Sequence, residues 1–156
     1  MIVECFLDTN ILLYAASKNP AHRSKKMRAI ELIAQKQFGV SAQVLQEFYA
    51  NATRKADFIL RPEIALQWIE KLEEFTCLSI DSGLVKTAAA VSVRYRISYW
   101  DGAIVAAAEA LGASILYTED LNHGQAYGTV TAINPFVDEP PRPGFHENVQ
   151  TALAKD

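Results

Sequence analysis

The stretch IVECFLDTNILLYAA, residues 2–16, decides the fold. Residues 2–7 are short, β-rich and apolar apart from Glu4, so they read as a strand buried on both faces. Asp8-Thr9-Asn10 then breaks the apolar run and offers capping side chains to a helix beginning with ILLYAA. A buried strand that runs into a capped helix is the opening unit of an α/β domain with a mainly parallel sheet.

The rest of the chain keeps this alternation. A helix is predicted from Pro20 to about Gln35, with the proline in its first turn. FGVSA (38–42) reads as a strand and residues 42–55 as an amphipathic helix. Another helix follows Pro62, Phe75 to Ile80 is a strand, and Asp81-Ser82 caps a helix carrying VKTAAAVSVRY. Trp100 to Leu111 has strong helix propensity and is closed by Gly112. Ser114 to Tyr117 is a strand, Thr118 to Gly128 a polar loop and Thr129 to Ile133 a last strand. Four of the six prolines fall at 135, 140, 141 and 143. Residues 1–136 are therefore read as one domain and 137–156 as a proline-rich extension.

Composition narrows the function. The chain has 156 residues, half of them hydrophobic, which suits one globular domain and excludes disorder. Fifteen basic and 18 acidic residues leave a charge of −3, which argues against a protein that coats nucleic acid over its whole surface. Cys5 and Cys77 are too few for a disulfide framework and too far apart for a zinc site. They read as reduced core residues of a cytoplasmic protein. MIVECFLDTN lacks the basic start and long apolar stretch of a signal peptide, and no apolar run approaches the ~20 residues needed to cross a bilayer.

Four carboxylates stand out together, although taken singly Asp8 and Asp120 read first as a helix cap or turn residue. Asp8 and Asp120 each follow a strand, where open parallel sheets bind ligands. If those strands are neighbours, both acids reach one crevice. Asp101 shares a helix face with Ile104, Val105 and Ala108, which is costly without a partner, although a place in the first turn also allows a capping role. Glu47 edges the Val44, Leu45, Phe48, Ala52 stripe and read alone is a surface glutamate. Two unit charges ~4 Å apart repel by about 4 kcal/mol at an effective dielectric of 20. Four converging acids must therefore take up protons or bind a cation, and oxygen donors suit Mg²⁺ or Mn²⁺. Metal-assisted hydrolysis of a phosphate ester is the chemistry such a cluster serves best.

These motifs resemble a known family. FLDTNILLY, the helical Glu of LQEFY, SYWDGAIVAAA and LYTEDLNHGQ are together similar to the PIN-domain ribonucleases, closest in style to VapC-type toxins of bacterial toxin–antitoxin pairs. The resemblance spans residues 2–136. It implies a PIN-like three-layer fold with a mainly parallel five-stranded sheet flanked by helices. It makes Asp8, Glu47, Asp101 and Asp120 the catalytic quartet, with Asp8, Asp101 and Asp120 as metal ligands and Glu119 as the rival for the fourth position. Thr9 and Asn10 match the small polar residues after the first acid, and Thr118 matches a hydroxyl that orients the site. All three are assigned to substrate binding. The implied activity is hydrolysis of RNA phosphodiester bonds by a metal-activated water. The implied partners are an RNA substrate, a separately encoded antitoxin lying near the N-terminal helices, and a second copy of the chain.

Between residues 18 and 36 lie Lys18, Arg23, Lys25, Lys26, Arg28 and Lys36 against only Glu31. Arg23 and Lys25 are the candidate phosphate contacts. Arg54 and Lys55 follow the Glu47 helix. Tyr99 and Trp100 read first as packing residues, with base stacking the alternative. Two rival functions exist. A haloacid-dehalogenase-type phosphatase needs a second Asp where Asn10 stands. A catalytically inactive PIN scaffold for protein binding has no need to retain four acids.

Overall fold

A computed structural model describes residues 2–137. The elements alternate as expected: β1 (Cys5–Leu7), α1 (Thr9–Ala16), a 3₁₀ turn (Pro20–His22), α2 (Arg23–Gln35), β2 (Phe38–Ser41), α3 (Ala42–Arg54), α4 (Pro62–Leu72), β3 (Thr76–Leu78), α5 (Ser82–Tyr95), α6 (Tyr99–Ala110), β4 (Ile115–Tyr117), β5 (Ala126–Tyr127) and β6 (Val130–Ile133). All but the first residue of the 137–156 extension lie outside the described residues. Among the described residues no helix is long and apolar enough to cross a membrane.

The sheet order is β3-β2-β1-β4-β6-β5. Every pairing is parallel except β5 with β6. From β1 the chain fills one side of the sheet with β2 and β3, then crosses to the other side with β4. The order therefore reverses between β1 and β4, which is where ligand crevices form in open α/β sheets. The register sets Leu7 opposite Tyr117, so Asp8 and Thr118 leave the sheet side by side. Cys5, Phe6 and Leu7 are all buried, as a central strand requires.

The sheet has six strands rather than five. The extra one, β5, lies inside the segment read as a polar loop. Gly128 has φ 65° and makes, with Thr129, a two-residue turn of the kind that closes hairpins. β1 is shorter than the predicted 2–7: Ile2 and Glu4 are exposed, and the backbone amides of Val3 and Glu4 bond to Leu111 and Gln37 instead. The helix predicted from Pro20 starts as a 3₁₀ turn, with Asn19 accepting from the Ala21 amide.

α6 is the central helix, and Gly102 through Ala108 are all buried. Its small residues let α5 approach closely. A Cβ on Gly102 would stand 2.7 Å from the Ala88 carbonyl oxygen and 3.0 Å from backbone and side-chain atoms of Ser92. Asp101 therefore sits where α6 enters the core, one residue before this close helix–helix contact. Gly102→Ala is expected to push α5 from α6 and to lower stability by about 1–3 kcal/mol. Thermal unfolding of the variant beside the wild type measures this, and an unchanged melting temperature would refute the close contact.

Candidate active site

Four elements bring acidic side chains to one cleft of about 420 Å³. Asp8 caps α1, its Oδ1 accepting from the Thr9 amide at 2.7 Å. Its Oδ2 accepts from the Thr118 hydroxyl, also at 2.7 Å. Asp8 is only 4% exposed and forms the floor. Glu47 comes from α3: Thr9 Oγ1 donates to its Oε1 at 3.0 Å, and Gln43 Nε2 to its Oε2 at 3.4 Å. Asp101 is half-buried in the first turn of α6, where its amide donates to Ser98 Oγ at 3.0 Å. The spacing of Ser98 and Asp101 is that of a capping box. Asp120 follows β4, with its amide on Thr118 Oγ1 and its Oδ2 accepting from Asn10 Nδ2 at 3.1 Å.

The sequence left two adjacent acids open for the fourth position. Both line the cleft, with different partners. Glu119 turns to Lys25 (3.0 Å) and to the Tyr14 hydroxyl (2.9 Å). Asp120 instead faces the other carboxylates.

The electrostatics are those of crowded acids. Burial pushes Asp8 up to about 7, and the charges of Asp120 and Glu47 add to this, while its bonds from Thr118 and Thr9 oppose it. Asp101 is raised by burial and by Glu47. Asp120 is raised by burial, then by Asp101 and Glu119, and is eased by Asn10 and Lys55. The donors are all oxygens, and one more stands ready: Asn10 Oδ1 is buried without a hydrogen-bond partner. An oxygen-only, strongly anionic set fits a hard divalent cation. Among the described residues, no three His, Cys, Asp or Glu side chains are grouped tightly enough to hold an ion by themselves.

The other sequence candidates are distributed unevenly. Thr9 and Asn10 line the cleft, and Thr118 braces it from behind. Arg23 is exposed at the start of α2 and does not line the cleft. Lys25 is engaged by Glu119 and Tyr14, and Lys26 donates to the Ser17 carbonyl. Lys55, exposed at the end of α3, does line the cleft. Trp100 is not a core residue: it is 63% exposed on the cleft wall, because α6 meets its neighbours through small residues. Gln43 was not singled out by the sequence. It is buried and bridges Glu47 to the Trp100 carbonyl, and its only sequence signal is a polar side chain one turn before Glu47.

A family model described as PIN domain matches residues 5–128. No curated protein sequence matches the chain. Among solved structures, VapC20 of Mycobacterium tuberculosis, described as a sarcin–ricin-loop-cleaving toxin, is 20% identical, with 74% of this chain and 89% of that one covered and a TM-score of 0.60. A toxin–antitoxin complex from Klebsiella pneumoniae is 20% identical over 84% and 97% of the two chains, with a TM-score of 0.62. VapBC2 from Rickettsia felis, bound to a DNA fragment from its promoter, is 19% identical over 85% and 97%, with a TM-score of 0.56. At such identities the likeness is one of fold.

The raised Asp8 has a stability consequence in metal-free protein. Between pH 4 and 7 the folded state holds a proton that the unfolded chain has lost, so stability falls as pH rises through this window. Asp8→Asn keeps an acceptor for the Thr9 amide and cannot ionise. Its melting temperature should exceed that of the wild type at pH 8 by on the order of 5 °C, with the gap closing near pH 4. Parallel melting curves across pH would refute the burial argument.

Proposed function

The chain belongs to the PIN domain family, and on that premise we propose that it is a Mg²⁺- or Mn²⁺-dependent ribonuclease, the toxin of a toxin–antitoxin pair. The observation that carries this reading is the meeting of Asp8, Glu47, Asp101 and Asp120 in one cleft from four separate elements. An RNA substrate and an antitoxin are further supported by the neighbours, which include a sarcin–ricin-loop-cleaving toxin and toxin–antitoxin complexes.

Asp8, Asp101 and Asp120 are the proposed ligands, and Glu47 is the fourth catalytic acid. The chemistry that a divalent ion supplies in such a setting is a lowered pKa for a water and relief of charge on the phosphoryl oxygens. The chain's own contribution is placement. Thr118 holds one Asp8 oxygen and, through the Asp120 amide, the start of the loop that carries Asp120. Asn10 holds the Asp120 side chain and keeps its own carbonyl oxygen free for an ion, a water or substrate. Thr9 and Gln43 hold both oxygens of Glu47. Lys55, which lines the cleft, is the proposed contact for the RNA backbone; Arg23 lies outside the cleft and Lys25 is paired with Glu119, so both are weaker candidates.

The phosphatase reading has weaker support, because the Asn10 amide is already used to hold Asp120. For the antitoxin, the reading points to the N-terminal helices, where Met27 and Ile30 of α2 are exposed, and to an apolar groove of about 520 Å³ beside Ile64 and Trp68 of α4. A homodimer is part of the same proposal.

Two measurements test the site. Asp101→Asn should remain folded and lose Mn²⁺-dependent RNA cleavage by at least about 100-fold. It should also lose the rise in melting temperature that Mn²⁺ gives the wild type by mass action. Undiminished cleavage by the purified variant would sink the assignment. Lys55→Ala should weaken RNA binding and reduce the slope of log K against log salt by about 1. An unchanged slope would remove Lys55 from the phosphate contacts.

A further inference from the structure

Trp100 is 63% exposed, yet it occupies a well-determined place. It lies in the first turn of α6, one residue before Asp101, on the wall of the acidic cleft. Its carbonyl oxygen accepts from Gln43 Nε2 at 3.2 Å, and Gln43 is the side chain that also holds Glu47. Its ring stands edge-on to Tyr99, with centroids 5.1 Å apart and planes at 83°. A large π surface is thus held open to solvent beside the proposed reacting centre, at a hydrophobic cost that burial against a ligand would recover. Trp68, the other tryptophan of the chain, is instead partly buried near Phe48 and faces a different cavity.

We propose that Trp100 stacks an unpaired base of the RNA next to the scissile phosphate, and so determines which RNAs the chain accepts. The proposal rests on the ribonuclease reading and deepens it. An RNA base has flat faces that match an indole and stack on it with little regard to identity. A base inside a duplex has both faces covered by its neighbours and would have to be unstacked first, at a cost of a few kcal/mol. The cleft adds a second constraint, because Asp8 lies at its floor and is nearly buried. A backbone that reaches Asp8 has to bend in as a single strand. Exposed Lys55 lines the same cleft and can meet a neighbouring phosphate.

The chain has two tryptophans, so fluorescence isolates this residue. In a non-cleaving Asp8→Asn, Trp68→Phe protein, a single-stranded oligoribonucleotide should quench the Trp100 emission saturably. An abasic oligonucleotide of the same length should bind by anisotropy without quenching. In otherwise wild-type protein with Mn²⁺, Trp100→Ala should raise KM by on the order of 10- to 100-fold with a smaller change in kcat, and Trp100→Phe should recover most of the loss. Equal quenching by the abasic strand overturns the proposal, as does a KM for Trp100→Ala within about two-fold of the wild type. In either case Trp100 is left as a contact for another protein. Absence of any RNA cleavage by the wild type would instead sink the ribonuclease reading, and the titration would still decide whether Trp100 takes a base.

Discussion

One hydrogen bond closes the site: the Thr118 hydroxyl to Asp8 Oδ2 at 2.7 Å. A carboxylate with 4% exposure needs partners, and an unpaired one would cost several kcal/mol. Both partners of Asp8 follow from the register of β1 with β4 and the helix that starts straight after β1. The Asp8 amide bonds to the Tyr117 carbonyl, extending the ladder by one residue and setting Thr118 beside the carboxylate. Thr118 then receives the Asp120 amide, and Asn10 reaches back to the Asp120 side chain. A slip of one residue in this pairing would turn Thr118 to the other face and dissolve the arrangement.

The elements were legible because their signals are local. An apolar run of a few residues, an Asx or Ser cap and a periodic stretch are all visible within one segment, as at Leu7-Asp8-Thr9 and Asp81-Ser82. What was missed depends on distant partners or very short spans. β5 is two residues long, and its one sequence sign is the glycine of Tyr127-Gly128-Thr129-Val130. Glu119 and Asp120 are neighbours with the same charge, and the partners that hold Glu119, Lys25 and Tyr14, lie far away in the chain. Trp100 read as a packing residue because aromatic residues usually are. Its exposure follows from α5 and α6 meeting through glycine and alanine, which leaves no slot for an indole.

The charge balance also reads differently by position. A net −3 spread evenly would repel a polyanion. Here part of the negative charge is gathered in one cleft, where burial first and neighbouring acids second raise the pKa of Asp8, Asp101 and Asp120 and favour either protons or a cation. The basic stretch near the N-terminus is partly committed to internal contacts: Lys25 to Glu119, Lys26 to Ser17, and Arg28 to Glu31 and the Pro135 carbonyl. Lys55 carries more weight than the count of lysines and arginines in that stretch suggests.

The bond between Asp8 and Thr118 spans 110 positions of the chain. Contacts of such long separation form late, since the closure entropy of the intervening loop must be overcome first. During synthesis, Asp8 emerges early and stays without its second partner until β4 has been made and has docked beside β1. With its four cleft acids spread from position 8 to position 120, the unfinished chain cannot bring them together until β4 has been made.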